Sequence, residues 1–196
     1  MDMRTASIIV NGAIFLTMFV IQTLTFRKEG RWQFRRGLKA FRYFTVLSNV
    51  FCALAALVMA VAQIANRVTM PVVLLKYMGT VSVSVTLLTV LLFLGPTQGY
   101  GEMLRGRNLY MHLVGPLLAI VSYCLWEKRP MSFGMALTGL IPVLVYGLVY
   151  LNQVILAPEA RRWEDFYGFN RGGHWPAALA MMLAGTLAVC VALWLV

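Results

Sequence analysis

Apolar residues occur along this chain in six long runs that are separated by short polar segments. The runs cover residues 7–26, 43–65, 72–94, 109–126, 133–151 and 176–196. Each is close to the length of about 20 residues that a helix needs to cross a bilayer, where every backbone polar group must be bonded within the segment. The pattern therefore predicts an all-α, polytopic integral membrane protein, with six transmembrane helices in one bundle and a single domain over residues 1–196.

The composition agrees with this prediction and excludes a soluble protein. Of the 196 residues, 60% are hydrophobic and only 12% are charged, whereas soluble domains average roughly 25% charged residues. The mean hydropathy is +0.76, and the six runs leave no room for a separate soluble domain. No small-residue cleavage site follows the first run, which is also long, so we expect it to be kept as a span rather than removed as a signal peptide.

Positive charge is unevenly distributed between the two sides of the predicted bundle. The net charge of +10 would suggest nucleic acid binding in a soluble protein. Here the first, third and fifth loops hold twelve of the 17 basic residues, namely Arg27, Lys28, Arg31, Arg35, Arg36, Lys39, Arg42, Arg105, Arg107, Arg161, Arg162 and Arg171. By the positive-inside rule we expect these loops in the cytoplasm and both termini outside, in a bacterial inner (plasma) membrane, with no nucleic acid partner.

Two of these loops have compositions that point to the membrane surface. Residues 27–42 mix aromatic and basic side chains, which we interpret as a topogenic loop that also attracts anionic lipid headgroups, with a specific headgroup site as the alternative. Residues 152–175 form the fifth loop, which is the longest and combines arginines, acidic residues and five Phe, Tyr or Trp side chains. That loop is either a lid over an opening at the membrane surface or a plain interfacial loop.

Two residues at similar depth in different runs are candidates for chemistry. Thr45 is the third residue of the second run and His112 the fourth residue of the fourth, and both runs begin on the same side. At about 1.5 Å per residue, both side chains lie roughly 5 Å below the surface of the same leaflet. A histidine inside a span is costly and marks a functional site by default. Its neutral imidazole could take the proton of the Thr45 hydroxyl and make it a nucleophile.

Other polar residues near Thr45 have alternative roles. Asn49 lies one helical turn deeper on the same face and could either donate to an oxyanion or orient His112, while Ser48 is a competing nucleophile. All seven acidic residues fall outside the predicted runs, so we expect a Thr–His dyad unless Glu102 or a carboxylate of the fifth loop folds inward. His174 is a rival histidine at the start of the sixth run. We expect Lys76 to extend towards the opposite membrane surface, away from Thr45.

Two short strings resemble the landmarks of a known family. FRYFTVLSN at residues 41–49 and MHLVGP at residues 111–116 are similar to motifs of the bacterial branch of the androgen-induced and androgen-dependent integral membrane proteins. The resemblance extends over nearly the whole chain in the order and spacing of helices. Animal members are threonine hydrolases of fatty acid esters of hydroxy fatty acids. The resemblance implies that Thr45 is the nucleophile and His112 the catalytic histidine, although the Ser-Asn pair is not shared with the animal enzymes.

The sequence thus favours an intramembrane lipid-ester hydrolase without a cofactor or metal. Its substrate would be a lipid with an ester bond, and its other partners the surrounding membrane lipids. Cys52, Cys124 and Cys190 fall inside the runs, so we interpret them as small core residues rather than a disulfide or metal set. The alternatives are a small-molecule or ion transporter, because prolines interrupt two of the runs, and a lipid-binding membrane protein without turnover.

Overall fold

The computed structural model describes residues 2–196, with Lys28 described by its backbone alone. Six helices are long and apolar enough to cross a membrane, so the predicted all-α polytopic fold is confirmed. From the first to the sixth span they are Met3–Phe26, Phe44–Ile64, Met70–Gln98, Arg107–Glu127, Phe133–Leu156 and Trp175–Leu195. A two-residue β-hairpin (Arg27–Lys28 with Arg31–Trp32) and a short surface helix (Phe34–Ala40) connect the first two spans.

In the third and fourth spans the helix widens, rather than stopping, before a proline, and the third span therefore continues past its predicted end at residue 94 to Gln98. In each, a π-helical segment (Val90–Leu94 and Tyr110–Val114) lies directly before a Gly-Pro pair. Proline lacks the N–H that would bond four residues back, so the carbonyl there loses its usual partner. The preceding glycine N–H bonds five residues back instead, as Gly115 does to Tyr110. The interruption expected at Pro116 therefore takes the form of a π-segment that contains His112.

The third span is the central helix of the bundle. It packs against the second, fourth, fifth and sixth spans, and the first span packs against the second and fourth. One apolar core is built around Tyr77 and Val81 of the third span, with residues of the second, fourth, fifth and sixth spans. A second lies among the first four spans. A third, at one end of the bundle, joins the fifth span to the loop that follows it.

Lys76 and Glu127 correct the sequence-based prediction of where charge lies. The expectation that Lys76 extends outwards is wrong, because its side chain is fully buried with its Nζ 3.6 Å from Glu127 Oε2. Nζ also donates a hydrogen bond to Asn11 Oδ1 at 2.6 Å. Glu127 was expected in a loop, yet it is the last residue of the fourth span and its side chain is fully buried. The bundle therefore contains a buried ion pair between its third and fourth spans.

A network of neutral polar side chains surrounds this ion pair. Glu127 Oε1 accepts hydrogen bonds from the hydroxyls of Ser7 at 2.7 Å and Ser122 at 2.5 Å, and from the amide of Asn11. Gln63 of the second span donates to Ser7 Oγ at 2.8 Å. The network thus links the first four spans at the end of the bundle that carries residues 65–69 and 128–132, which we call the Lys76 end. The opposite end, with residues 27–43 and 157–174, is the Thr45 end.

Candidate functional site

Thr45 lies at the head of the second span, where the chain passes from the surface helix into the bundle. It is the second residue of the helix Phe44–Ile64, and its side chain is buried. Tyr167 of the fifth loop is a polar neighbour of Thr45 from another element. The Tyr167 hydroxyl accepts a hydrogen bond from the Phe44 backbone N–H at 3.0 Å and lies beside the Thr45 hydroxyl. Thr45 is therefore covered by the fifth loop.

His112 lies inside the π-helical segment of the fourth span and is buried. Its Nδ1 is 2.6 Å from the carbonyl oxygen of Met103, in the short helix Tyr100–Met103 that precedes the fourth span. A carbonyl oxygen can only accept a hydrogen bond, so Nδ1 carries the proton in the neutral ring. This assignment leaves the Nε2 lone pair free, as a general base requires.

Asn49 connects the backbone of the second span near Thr45 with that of the fourth span near His112. Its Nδ2 donates to the carbonyl of Thr45 at 2.8 Å and to that of Met111, the residue before His112, at 2.9 Å. A Cβ at Gly115 would come within 3.2 Å of Asn49 Oδ1, so glycine allows the fourth span to approach this closely. An amide nitrogen carries two protons, and both are used by these bonds. Asn49 is thus placed to orient the two spans rather than to donate to an oxyanion.

Ser48 faces a different helix from Thr45. Its hydroxyl is 2.8 Å from the Thr86 hydroxyl of the third span and donates to the Thr45 carbonyl at 3.2 Å. Only 2% of the residue is exposed. Ser48 therefore joins the second and third spans, in a position where its hydroxyl is already bonded.

The fifth loop closes over the Thr45 end with a cluster of aromatic rings. Phe166 packs on Tyr43 with the ring centroids 4.5 Å apart, and the Arg42 guanidinium lies 5.4 Å from the ring centroid of Trp163. Rings of the loop and the fifth span form an apolar core that also contains Phe44. These contacts fasten the loop to the head of the second span, which is the geometry of a cover rather than of a free surface loop.

A carboxylate of the loop holds this cover in shape. Asp165 accepts hydrogen bonds from the backbone N–H groups of Phe169 and Asn170, both at 2.7 Å, and from the Tyr150 hydroxyl at 3.0 Å.

Burial raises the pKa of Tyr167 above its ordinary value of 10.0. The phenol beside Thr45 therefore keeps its proton at neutral pH and can donate it in a hydrogen bond.

The structure brings some of the predicted site residues together and leaves others apart. Thr45, Asn49 and His112 lie on adjoining spans, but within residues 2–196 no hydrogen bond joins the Thr45 hydroxyl to the His112 ring. In the same described range, the partner of His112 is a backbone carbonyl and not a carboxylate. His174 is exposed at the start of the sixth span.

One narrow crevice lies next to Asn49. A crevice of about 180 Å³ is lined by Asn49, Cys52, Tyr110 and Gly115 among others, and it is too narrow to hold water. A lipid ester would therefore need the fifth loop or nearby side chains to move before it could reach Thr45. Over the described part of the chain, no three His, Cys, Asp or Glu side chains are grouped so that they could hold a metal ion.

Sequence reasoning missed Tyr167, and the reason is its distance along the chain. It lies 123 positions from Phe44, whose N–H it binds, and no local pattern connects an aromatic loop residue with one particular helix start. The available signal was the length of the fifth loop and its aromatic content, which suggested a lid without naming a residue.

Comparisons with protein-family models, with curated proteins and with solved structures found no match for this chain.

Proposed function

We propose that this protein is an intramembrane hydrolase of lipid esters, with Thr45 as the nucleophile and His112 as the general base. The observation that carries the proposal is the bridge made by Asn49, whose amide bonds the Thr45 and Met111 carbonyls at 2.8 and 2.9 Å. This bridge holds a buried hydroxyl and a buried imidazole on adjoining spans. The fixed Nδ1–H of His112 leaves Nε2 to act as the base.

The proposed reaction proceeds through an acyl-enzyme. The Thr45 oxygen attacks the ester carbonyl while His112 Nε2 takes the hydroxyl proton, and the alcohol leaves with that proton as the ester bond breaks. His112 then takes a proton from water, which attacks the Thr45 ester, and the fatty acid is released as Thr45 regains its proton. In this proposal Asn49 positions the two spans, and the Tyr167 hydroxyl beside Thr45 donates a hydrogen bond to the developing oxyanion.

The burial of this region favours an apolar substrate that arrives from the membrane. The Thr45 end holds most of the basic residues, so we infer that it faces the cytoplasm and that substrate enters from the inner leaflet. The fifth loop covers Thr45, and its outward movement would open the path. A closed site would also protect the acyl-enzyme from premature hydrolysis.

The proposal is tested with the purified protein, a fluorophosphonate probe and a fluorogenic fatty acid ester. Thr45→Ala should abolish both labelling and turnover, Thr45→Ser should keep measurable labelling, and His112→Ala should lower the labelling rate by at least about 100-fold, the usual range for a general base. Ser48→Ala is the matched control, because it removes a neighbouring hydroxyl that is bonded to Thr86. Labelling that survives Thr45→Ala but is lost in Ser48→Ala would assign the nucleophile to Ser48, and labelling that survives both refutes the proposal.

A second candidate function is transport of an ion or small molecule, and the buried ion pair favours it. The sequence suggested no carboxylate inside the membrane, but Glu127 is buried in a span beside Lys76. Ionisable residues within spans often mark ion or proton pathways. Flux into proteoliposomes that survives Thr45→Ala and is lost in Glu127→Gln would favour transport. Lipid binding without flux and without ester turnover would favour the remaining alternative, a lipid-binding membrane protein that is not an enzyme.

A further inference from the structure

Residues 27–42 form a basic, aromatic surface at the Thr45 end of the bundle. Seven of these 16 residues are Lys or Arg, and Glu29 is the only acidic one. The segment folds as the hairpin Arg27–Lys28 with Arg31–Trp32, followed by the surface helix Phe34–Ala40. It connects the last residue of the first span to the start of the second, and the ends of membrane-spanning helices are where headgroups are met.

One glycine fixes the surface helix against the bundle. Gly37 is the one buried residue of that helix, and a Cβ built there would come within 2.2 Å of the Phe26 ring. Phe26 also makes edge contacts with the rings of Phe34 and Phe41, whose centroids are 6.0 and 6.4 Å away. The helix is thus fastened along one narrow line, and its remaining faces are turned away from the protein.

The exposed faces of this helix are divided into an apolar edge and a basic edge. At 100° per residue, Phe34 and Leu38 share one side, and each is 64% exposed. Arg35 and Lys39 share the next side and are also exposed. Trp32 stacks on Phe34 with the ring centroids 6.0 Å apart and extends the apolar edge into the hairpin. An apolar edge beside a basic edge is the pattern of a helix that lies in the membrane interface.

The basic edge lines a depression on the surface. An open groove of about 710 Å³ lies among Gln33, Phe34, Arg35, Arg36 and Lys39. Three cations and an amide around one groove offer hydrogen-bond donors to phosphate oxygens from several directions. Arginine in particular binds phosphate through two parallel N–H groups.

We propose that the hairpin and the surface helix form a binding site for the headgroup of an anionic phospholipid of the adjoining leaflet. Arg35, Arg36 and Lys39 contact the phosphate, while Trp32, Phe34 and Leu38 extend among the acyl chains. The charge of the segment selects an anionic over a zwitterionic headgroup. The exposed apolar edge selects a membrane lipid over a free phosphate, which has no acyl chain to meet it. This binding does not depend on catalysis at Thr45.

The test measures how well brominated lipids quench the fluorescence of Trp32, with Trp126, Trp163, Trp175 and Trp194 replaced by Phe. Titration of brominated phosphatidylglycerol into phosphatidylcholine bilayers gives the relative binding constant of the anionic lipid at Trp32. The value should exceed one and should fall by at least about tenfold in Arg35→Gln/Arg36→Gln/Lys39→Gln, because each basic residue near an anionic surface is worth roughly a fivefold preference.

The matched control removes three exposed cations from other loops at the same end, in Arg105→Gln/Arg161→Gln/Arg171→Gln. It should leave the relative binding constant within about twofold of the original, because screening weakens charges beyond roughly 10 Å. Equal binding of both lipids, or equal loss in both triple variants, would overturn the proposal. Displacement of the lipid by soluble glycerophosphate at matched ionic strength would also overturn it.

A second measurement does not require the tryptophan substitutions. Native mass spectrometry of the otherwise unchanged chain counts the phosphatidylglycerol molecules that stay bound as detergent is removed. The Arg35, Arg36 and Lys39 triple variant should retain fewer than the control triple variant. Equal retention by the two variants would contradict the assignment of the site to residues 27–42.

Discussion

Removal of one member of the Lys76–Glu127 pair should destabilise the protein far more than removal of both. Both side chains are fully buried, with Nζ 3.6 Å from Oε2. Lys76→Met leaves a carboxylate with no cation in an apolar bundle, which is costly. Removal of one partner of a buried ion pair costs roughly 3–5 kcal/mol in soluble proteins, and we expect Lys76→Met to cost about as much.

The same reasoning applies to the partner. Glu127→Gln leaves an ammonium with no anion in the same apolar surroundings, so it should also cost roughly 3–5 kcal/mol. The double variant Lys76→Met/Glu127→Gln leaves no unpaired charge. It should be less destabilised than either single variant, with a coupling energy of at least about 3 kcal/mol.

The free energy of unfolding is measured by SDS titration in mixed micelles. Arg67→Gln is the matched control, because it removes an exposed cation at the same end of the bundle, and it should cost less than about 0.5 kcal/mol. Single variants that lose under 1 kcal/mol, or a double variant that loses as much as the two single variants together, would refute the view that this pair is charged and buried.

Two further predictions concern packing and the fifth loop. Gly139→Val should destabilise the bundle by about 1–3 kcal/mol in the same titration, because a Cβ at Gly139 would come within 2.7 Å of Cys190 Sγ. Gly185→Val is its control, because a Cβ at Gly185 has no neighbouring atom within 4 Å. Equal losses of stability in the two variants would contradict the packing at Gly139. Asp165→Asn should speed proteolytic cleavage of the fifth loop several-fold, because it weakens the hydrogen bonds from the Phe169 and Asn170 N–H groups. Glu159→Gln is the control at an exposed position and should leave the cleavage rate unchanged. A cleavage rate of Asp165→Asn equal to that of the unchanged protein would exclude Asp165 as the group that organises the loop.

The positions of the spans could be predicted because each depends on a local property of the chain. A run of about 20 apolar residues partitions into the bilayer as a helix wherever it occurs, so the pattern identified all six. The boundary of the third span differs from the pattern, because the helix continues to Gln98 through a π-segment before Pro96. A hydropathy pattern carries no information about whether a helix widens or stops at a proline.

The candidate site could be predicted only as far as its depth. Thr45 and His112 are buried near the same end because helix rise converts position in a span into depth. The carbonyl partner of His112, the Asn49 bridge and the Tyr167 cover depend on contacts between elements that are distant along the chain. The roles of Thr45 and His112 stay predictions until the labelling experiment is made.

The sequence by itself determined the fold class, the six spans and the distribution of basic residues, since these follow from the chemistry of each segment taken alone. Only the tertiary structure decided that Lys76 faces inwards and that Glu127, beside two basic residues in a segment that resembles a loop, is its buried partner. The physical reason is that hydropathy sets how deep a residue lies, whereas the packing of neighbouring helices sets the direction in which it points.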